Sequence, residues 1–176
     1  MSFSKIKFIA TSIITAILFI SMPLPSSATS RLGTAEVRQD QDYPCFAIPM
    51  NRETRNGVPF YGIFVKEDRM EGPEELAKDM WTSEDLDFPP RSRLHPDQCI
   101  RYGEKLKTHT QSTTKPLDLY KIYYVSIIAK EEGSNIISYV ANFCITPDQL
   151  GRHRVQMIAP DNSLGKARFD VCTKSR

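Results

Sequence analysis

Residues 29–176 are predicted to form a single all-β domain, an immunoglobulin-like β-sandwich of about seven or eight strands with two disulfides. Short runs rich in β-branched and aromatic residues recur along the chain, separated by Gly, Pro, Asn and Asp, and no helical period persists for long. The four cysteines, Cys45, Cys99, Cys144 and Cys172, are an even number, as a disulfide framework requires. Two sheets that share one core bury such strands well, so a sandwich is favoured over a closed barrel.

The first part of the domain contains three predicted strands, at 34–38, 44–48 and 60–66. Pro49 ends the second of these strands, and the polar stretch 50–58 connects it to the third. Along 60–66 both alternating sets of side chains are apolar, which predicts a central strand.

The stretch 68–98 is the least regular part of the sequence. One or two turns of helix are predicted over 74–81, because the proline that precedes this segment suits a first helical position. Further along, Pro89, Pro90 and Pro96 exclude regular structure and favour extended backbone.

The second part of the domain contains five predicted strands, at 98–102, 119–129, 136–145, 154–158 and 167–172. The longest of them is rich in β-branched and aromatic residues, which fit a pleated, half-buried surface. A threonine-rich, solvated loop is predicted at 108–116, and the polar segment 130–135 is typical of a hairpin loop.

A secretory signal peptide is predicted at residues 1–28. Lys5 and Lys7 form a basic start, an apolar stretch follows, and small residues place cleavage near Ala28. The apolar stretch is shorter than the roughly 20 residues that a membrane-spanning helix needs, so an uncleaved anchor is the less favoured alternative. Because the first cysteine is Cys45, no lipidation cysteine follows the cleavage site. The mature protein is therefore expected in the periplasm without a stable membrane anchor.

In an oxidising compartment the four cysteines are expected to form two disulfides. Three pairings are possible. The pairing Cys45–Cys99 with Cys144–Cys172 is favoured because each bridge joins neighbouring segments, and the other two stay open. The sequence contains no Cys-x-x-Cys spacing, which would indicate a metal site.

The charge balance excludes some partners. Removal of residues 1–28 takes two lysines and no acid from the 23 basic and 21 acidic residues, which leaves 21 of each. A near-neutral chain without a basic run has no electrostatic footprint for nucleic acid or for an anionic membrane.

Few residues are candidates for catalysis. His95, His109 and His153 fall in predicted loops, and neither a zinc-protease motif nor a nucleophile elbow is present. The adjacent pairs Glu74–Glu75 and Glu131–Glu132 are typical of solvated turns. We therefore predict no catalytic residue, cofactor or metal, while a Ser-His-Asp arrangement built from distant segments stays open, since such triads are defined by geometry.

Interface anchors are a further possibility in the irregular parts of the chain. Exposed aromatic and arginine side chains are favoured at protein interfaces, and binding residues concentrate on loops. The candidates are Arg52, Arg55, Trp81, Arg91 and Arg93. For each of them, a simple surface or packing role is the alternative.

The cysteine-bearing segments carry a family resemblance. They run from Pro44 to Asn56, from Pro96 to Gly103 and from Tyr139 to Cys144, with the long strand 119–129 between the last two and a further cysteine near the C-terminus. In this order they resemble small enterobacterial proteins described as type VI secretion immunity periplasmic lipoproteins. The similarity extends over most of residues 34–172. This sequence departs from the family in lacking a lipidation cysteine.

The resemblance implies a periplasmic protein that binds and neutralises a secreted toxin, or effector. The same scaffold suits a periplasmic inhibitor of a lysozyme-like enzyme, which is the first alternative. An exported structural or adhesive subunit is the second, although neither terminus is typical of a donor strand. An enzyme with an unrecognised site is the third.

Overall fold

The computed structural model describes residues 31–68, 77–130, 136–158 and 172, and these contain eleven β-strands and no helix. The strands are β1 (Arg31–Thr34), β2 (Glu36–Asp40), β3 (Tyr43–Ala47), β4 (Val58–Glu67), β5 (Lys78–Asp85), β6 (Arg93–Leu94), β7 (Ile100–Arg101), β8 (His109–Gln111), β9 (Ile122–Ala129), β10 (Ile136–Pro147) and β11 (His153–Ile158). The predicted signal peptide, nearly all of the predicted strand 167–172 and most of the predicted hairpin loop 130–135 lie outside the described residues.

The strands form two sheets of unequal size. The large sheet has the order β1-β10-β9-β4-β5-β8, with β11 also paired to β10 and β6 paired to β4. The small sheet has the order β2-β3-β7. All strand pairs are antiparallel except β1 with β10. The predicted all-β, sandwich-like fold with two sheets and two disulfides is confirmed.

The alternation of side chains explains why the central strands face one core. In β9, Tyr123, Val125 and Ile127 are fully buried, whereas the residues between them are half-buried. Full burial of such a side chain stabilises the fold by about 1.5–3 kcal/mol. Period-two burial of this kind fixes the register of the strand.

The small sheet packs over the large one. Phe46 of β3 contacts Phe143 of β10 with ring centroids 5.4 Å apart. On the other side of the same core, the ring of Tyr102 meets Trp81 edge-on at 5.6 Å. Aromatic pairs in these orientations stabilise beyond the area that they bury. The two sheets therefore share one apolar core.

The favoured disulfide pairing is confirmed. Cys45 in β3 is bonded to Cys99, next to β7, with their Cα atoms 5.5 Å apart. Cys144 in β10 is bonded to Cys172, with a Cα separation of 6.0 Å. The side chains of Phe143 and Cys144 point to opposite faces of β10, so the second bridge lies on the face away from the main core.

The prediction of helix over 74–81 is wrong for the described part of that segment, because β5 begins at Lys78. Trp81, Ser83 and Asp85 alternate as buried residues; the first two pair with β4 and Asp85 pairs with β8. Tertiary burial overrides the weak local signal of the preceding proline.

The two-residue strand β6 pairs with β4 between Pro90 and Pro96, where the prolines were predicted to exclude regular structure, so that prediction is wrong there. Two more strands lie where the sequence predicted none. The three-residue strand β8 falls inside the threonine-rich stretch that was predicted to be a loop, and it pairs with β5. The strand β1 begins just after the predicted cleavage site and pairs with the first half of β10. Both are held by sheet neighbours rather than by a strong local preference for extended structure.

Candidate functional site

Two connections meet at one end of the large sheet, where β4 begins and β5 ends. One is residues 50–57, which precede β4, and the other is residues 86–93, which follow β5. The short strand β6 pairs Leu94 with Val58 and so holds the two connections side by side. We call these two segments together the loop end.

The loop 86–91 is held at both of its ends by one carboxylate. Asp85 Oδ1 accepts the backbone N–H of Asp87 at 3.1 Å, and Oδ2 accepts the backbone N–H of Arg91 at 3.1 Å. Across the loop, the Arg91 Nε atom lies 2.7 Å from a carboxylate oxygen of Asp87. Burial alone would raise the pKa of Asp85, but the backbone hydrogen bonds and the nearby charge of His109 hold it below its usual value. The loop is thus braced in one conformation.

The braced loop presents two large apolar side chains to solvent. Leu86 is 75% exposed and Phe88 is 87% exposed. The Phe88 ring lies near that of Tyr61, with centroids 6.2 Å apart, and the Phe88–Pro89 peptide is cis. Exposed apolar residues that stand singly are ordinary, but two on one fixed loop form a local apolar patch.

The neighbouring connection is also an ordered turn. Asn51 Oδ1 accepts the backbone N–H groups of Glu53 at 2.8 Å and Thr54 at 3.1 Å. The hydroxyl of Thr54 donates to the carbonyl of Pro49, and its side chain is fully buried. This Asx-type turn fixes the backbone that carries Arg52 and Arg55.

Arg93 joins the two connections. Its Nη2 atom donates to the carbonyl oxygen of Gly57 at 2.6 Å. Gly57 has a φ of +71°, and a Cβ there would lie 2.7 Å from the ring of His95. A glycine is therefore required where the turn enters β4.

Beside the braced loop lies a cleft of about 450 Å³ that contains a serine and a histidine. His109 Nε2 lies 3.2 Å from Ser92 Oγ, and the His109 ring stacks on Phe60 at 4.8 Å. Asp85 is the cross-strand partner of His109. His109 Nδ1, however, is buried without a hydrogen-bond partner, whereas a catalytic triad requires a carboxylate there. The arrangement is a Ser-His pair without the orienting hydrogen bond.

The predicted interface residues separate into two groups. Arg52, Arg55, Arg91 and Arg93 are all exposed; the first two lie on one connection of the loop end and the last two on the other. The prediction of Trp81 as an exposed anchor is wrong: its side chain is fully buried in the core, because β5 is a strand whose inward face carries the indole.

Sequence reasoning missed Leu86 and Phe88, the most prominent residues of the loop end. Their signal was the presence of two apolar residues in an acidic, proline-rich stretch that no strand pattern absorbs. It also missed the pairing of Ser92, in the connection before β6, with His109 of β8, 17 positions further along the chain.

Comparison of the chain with models of known protein families, with curated proteins and with solved structures finds no match. Within residues 31–68, 77–130, 136–158 and 172, no helix is long and apolar enough to cross a membrane. Over the same part of the chain, no three or more His, Cys, Asp and Glu side chains group as a metal site would require.

Proposed function

We propose that the chain is an exported binding protein that neutralises a secreted protein effector, in the manner of a type VI secretion immunity protein. The observation that carries the proposal is the braced loop 86–91 with its exposed Leu86 and Phe88. The resemblance of the cysteine-bearing segments to periplasmic immunity proteins supports the same function. The two disulfides are compatible with an oxidising compartment.

The physical support is preorganisation. Association costs translational freedom and the ordering of loops and side chains at the interface. Asp85 already fixes both ends of the loop through its two carboxylate oxygens, so little backbone ordering remains to be done on binding. A side chain such as Phe88 gains binding energy when a partner removes it from water.

A co-culture competition tests the proposal. The gene is deleted, and the deletion strain is grown with its parent or with a parent whose secretion system is inactive. We expect killing only by the secreting parent and rescue by the plasmid-borne full-length gene. Equal survival beside both parents, with secretion shown to be active, would overturn the immunity function. Inhibition of a purified lysozyme by the mature protein would then support the alternative of an enzyme inhibitor.

The contact between Ser92 and His109 favours a second candidate function, acyl hydrolysis. A serine hydroxyl within 3.2 Å of an imidazole nitrogen has the geometry of a nucleophile and its base. Apo geometry alone does not rule out such a pair. A fluorophosphonate probe should label the mature protein, and should fail to label Ser92→Ala, if this function exists. Equal absence of label in both proteins would exclude it.

A further inference from the structure

We infer that the partner binds the loop end through a concave pocket with an apolar floor and a border of carboxylates. Leu86 and Phe88 enter this pocket, and Arg52 and Arg55 pair with its border. The inference rests on the proposed binding function and assigns the contact surface within it.

The shape of the loop end favours a concave partner. Leu86 and Phe88 lie on the loop that follows β5 and are 75% and 87% exposed, so a partner can enclose most of each side chain. Anchors of this kind are energetically most useful when a pocket encloses them fully. Asp85 accepts the backbone N–H of Arg91 and so holds the loop in place. We therefore expect the loop to enter the partner and the partner to supply the cavity.

The charges around the loop favour an acidic border. The two segments of the loop end contain four arginines against Glu53 and Asp87, although the predicted mature chain is balanced. Asp87 is already paired with Arg91. Among the described residues, none forms an ion pair or side-chain hydrogen bond with Arg52 or Arg55. Their guanidinium groups are available for bidentate pairing with carboxylates.

A phospholipid surface is the other kind of partner that apolar and basic side chains suit. Stable attachment to a membrane needs a larger apolar area or a cluster of basic residues, as a rule. The loop end exposes three large apolar side chains, Met50, Leu86 and Phe88, and its four arginines are offset by two acidic residues to a net charge of only +2. This composition favours a protein pocket.

Matched variants of the full-length gene test the inference in the co-culture rescue assay. Phe88→Asp changes the loop, and Leu150→Asp is its control, since Leu150 is 77% exposed in the turn at the opposite end of the large sheet. We expect Phe88→Asp to lose rescue and Leu150→Asp to keep it. Thermal unfolding of both purified proteins verifies that they fold.

A charge-reversal pair tests the border. Arg52→Glu combined with Arg55→Glu should lose rescue, whereas Lys78→Glu combined with Arg154→Glu should keep it. The control makes the same change in net charge at exposed residues near the opposite end of the sheet.

Photo-crosslinking identifies the contact directly. A benzoylphenylalanine placed at position 88 or at position 150 of the expressed protein is illuminated during co-culture. We expect a crosslink to the effector from position 88 only. With that effector purified, Phe88→Asp should weaken the Kd by about thirtyfold, as for a hot-spot residue. The double arginine variant should weaken it by roughly tenfold, and less so at high salt.

The outcomes separate the inference from the function. Survival of the deletion strain beside the secreting parent overturns both. Dependence on the wild-type gene, with full rescue by Phe88→Asp or crosslinking from position 150 alone, overturns the inference and leaves the function standing. Binding of the mature protein to vesicles of phosphatidylethanolamine and phosphatidylglycerol, lost in Phe88→Asp, assigns the loop to a membrane and also overturns it.

Discussion

Replacement of Asp85 by Asn should destabilise the domain by about 2–3 kcal/mol. One hydrogen bond to a charged group is lost, and the side-chain NH2 group of the asparagine then faces a backbone N–H of the loop. The two oxygens of Asp85 accept from different backbone N–H groups, those of Asp87 and Arg91. An asparagine has a single acceptor oxygen, and its amide nitrogen cannot accept. One end of the loop 86–91 is therefore released.

Asp148 provides a matched control. Its Oδ1 atom alone accepts the backbone N–H groups of Leu150 at 2.8 Å and Arg152 at 2.9 Å. Asp148→Asn keeps that acceptor and loses only the exposed ion pair of Oδ2 with Arg152 Nε at 2.8 Å, so its effect on stability should be smaller than that of Asp85→Asn. The assay is urea unfolding of the oxidised mature protein at neutral pH, with amide exchange of Asp87 and Arg91 as a local measure. Equal losses in the two variants would refute the bracing role that we assign to both Asp85 oxygens.

The pH dependence follows from the same carboxylates. The pKa values of Asp85 and Asp148 are lowered in the folded state. Their contribution to stability is therefore present above the unfolded pKa and is lost as the pH falls through the folded pKa. In Asp85→Asn that contribution is absent, so the acid limb of the stability profile should be shallower than in the wild type. An unchanged acid limb would contradict the assignment.

Three further predictions concern the fold. Gly33→Ala should destabilise the domain by about 1–3 kcal/mol, because the Cβ of the alanine would lie 2.5 Å from the ring of Tyr139. Thermal unfolding measures this loss. Unchanged stability would show that β1 does not pack against β10 as described. Loss of the bridge that closes 54 residues, by Cys45→Ser with Cys99→Ser, should cost about 4 kcal/mol in urea unfolding, and a loss below 1 kcal/mol would contradict this. Burial raises the pKa of Tyr123 to about 12, so stability present below pH 10 should fall as the pH approaches 12. Tyr123→Phe should remove that part of the alkaline loss, as followed by ultraviolet absorbance and circular dichroism; identical profiles would reject it.

The central strands could be predicted from the sequence because their signal is local. Residues 122–129 alternate between buried and half-buried positions, and β-branched and aromatic residues fill both sets. The bridge between Cys45 and Cys99 was the favoured pairing, but the sequence alone left two other pairings open. In contrast, β1 and β8 are strands only because they pair with β10 and β5, which lie elsewhere in the chain. The local sequence of a short segment does not show which distant strand it will pair with.

The loop end was only partly predictable for the same reason. A preference for arginines in irregular segments was enough to select Arg52 and Arg91, but not to show that they share one end of a sheet. Trp81 was misplaced because an aromatic residue in an irregular stretch gives no indication of which face it will occupy. Phe88 could not be recognised as an anchor until its exposure was known. Exposure depends on the whole fold rather than on neighbours in the sequence.

The pairing of β1 with β10 has a consequence for when the domain can fold. Arg31 at the start of β1 is paired with Ile136, 105 positions further along the chain. The core is also incomplete without β10, since Phe143 of β10 is one of the fully buried aromatic residues of the core. Contacts between such distant segments form late, because the intervening chain must be complete before they can close. The edge of the large sheet that β1 forms can therefore close only after more than three quarters of the chain has been synthesised.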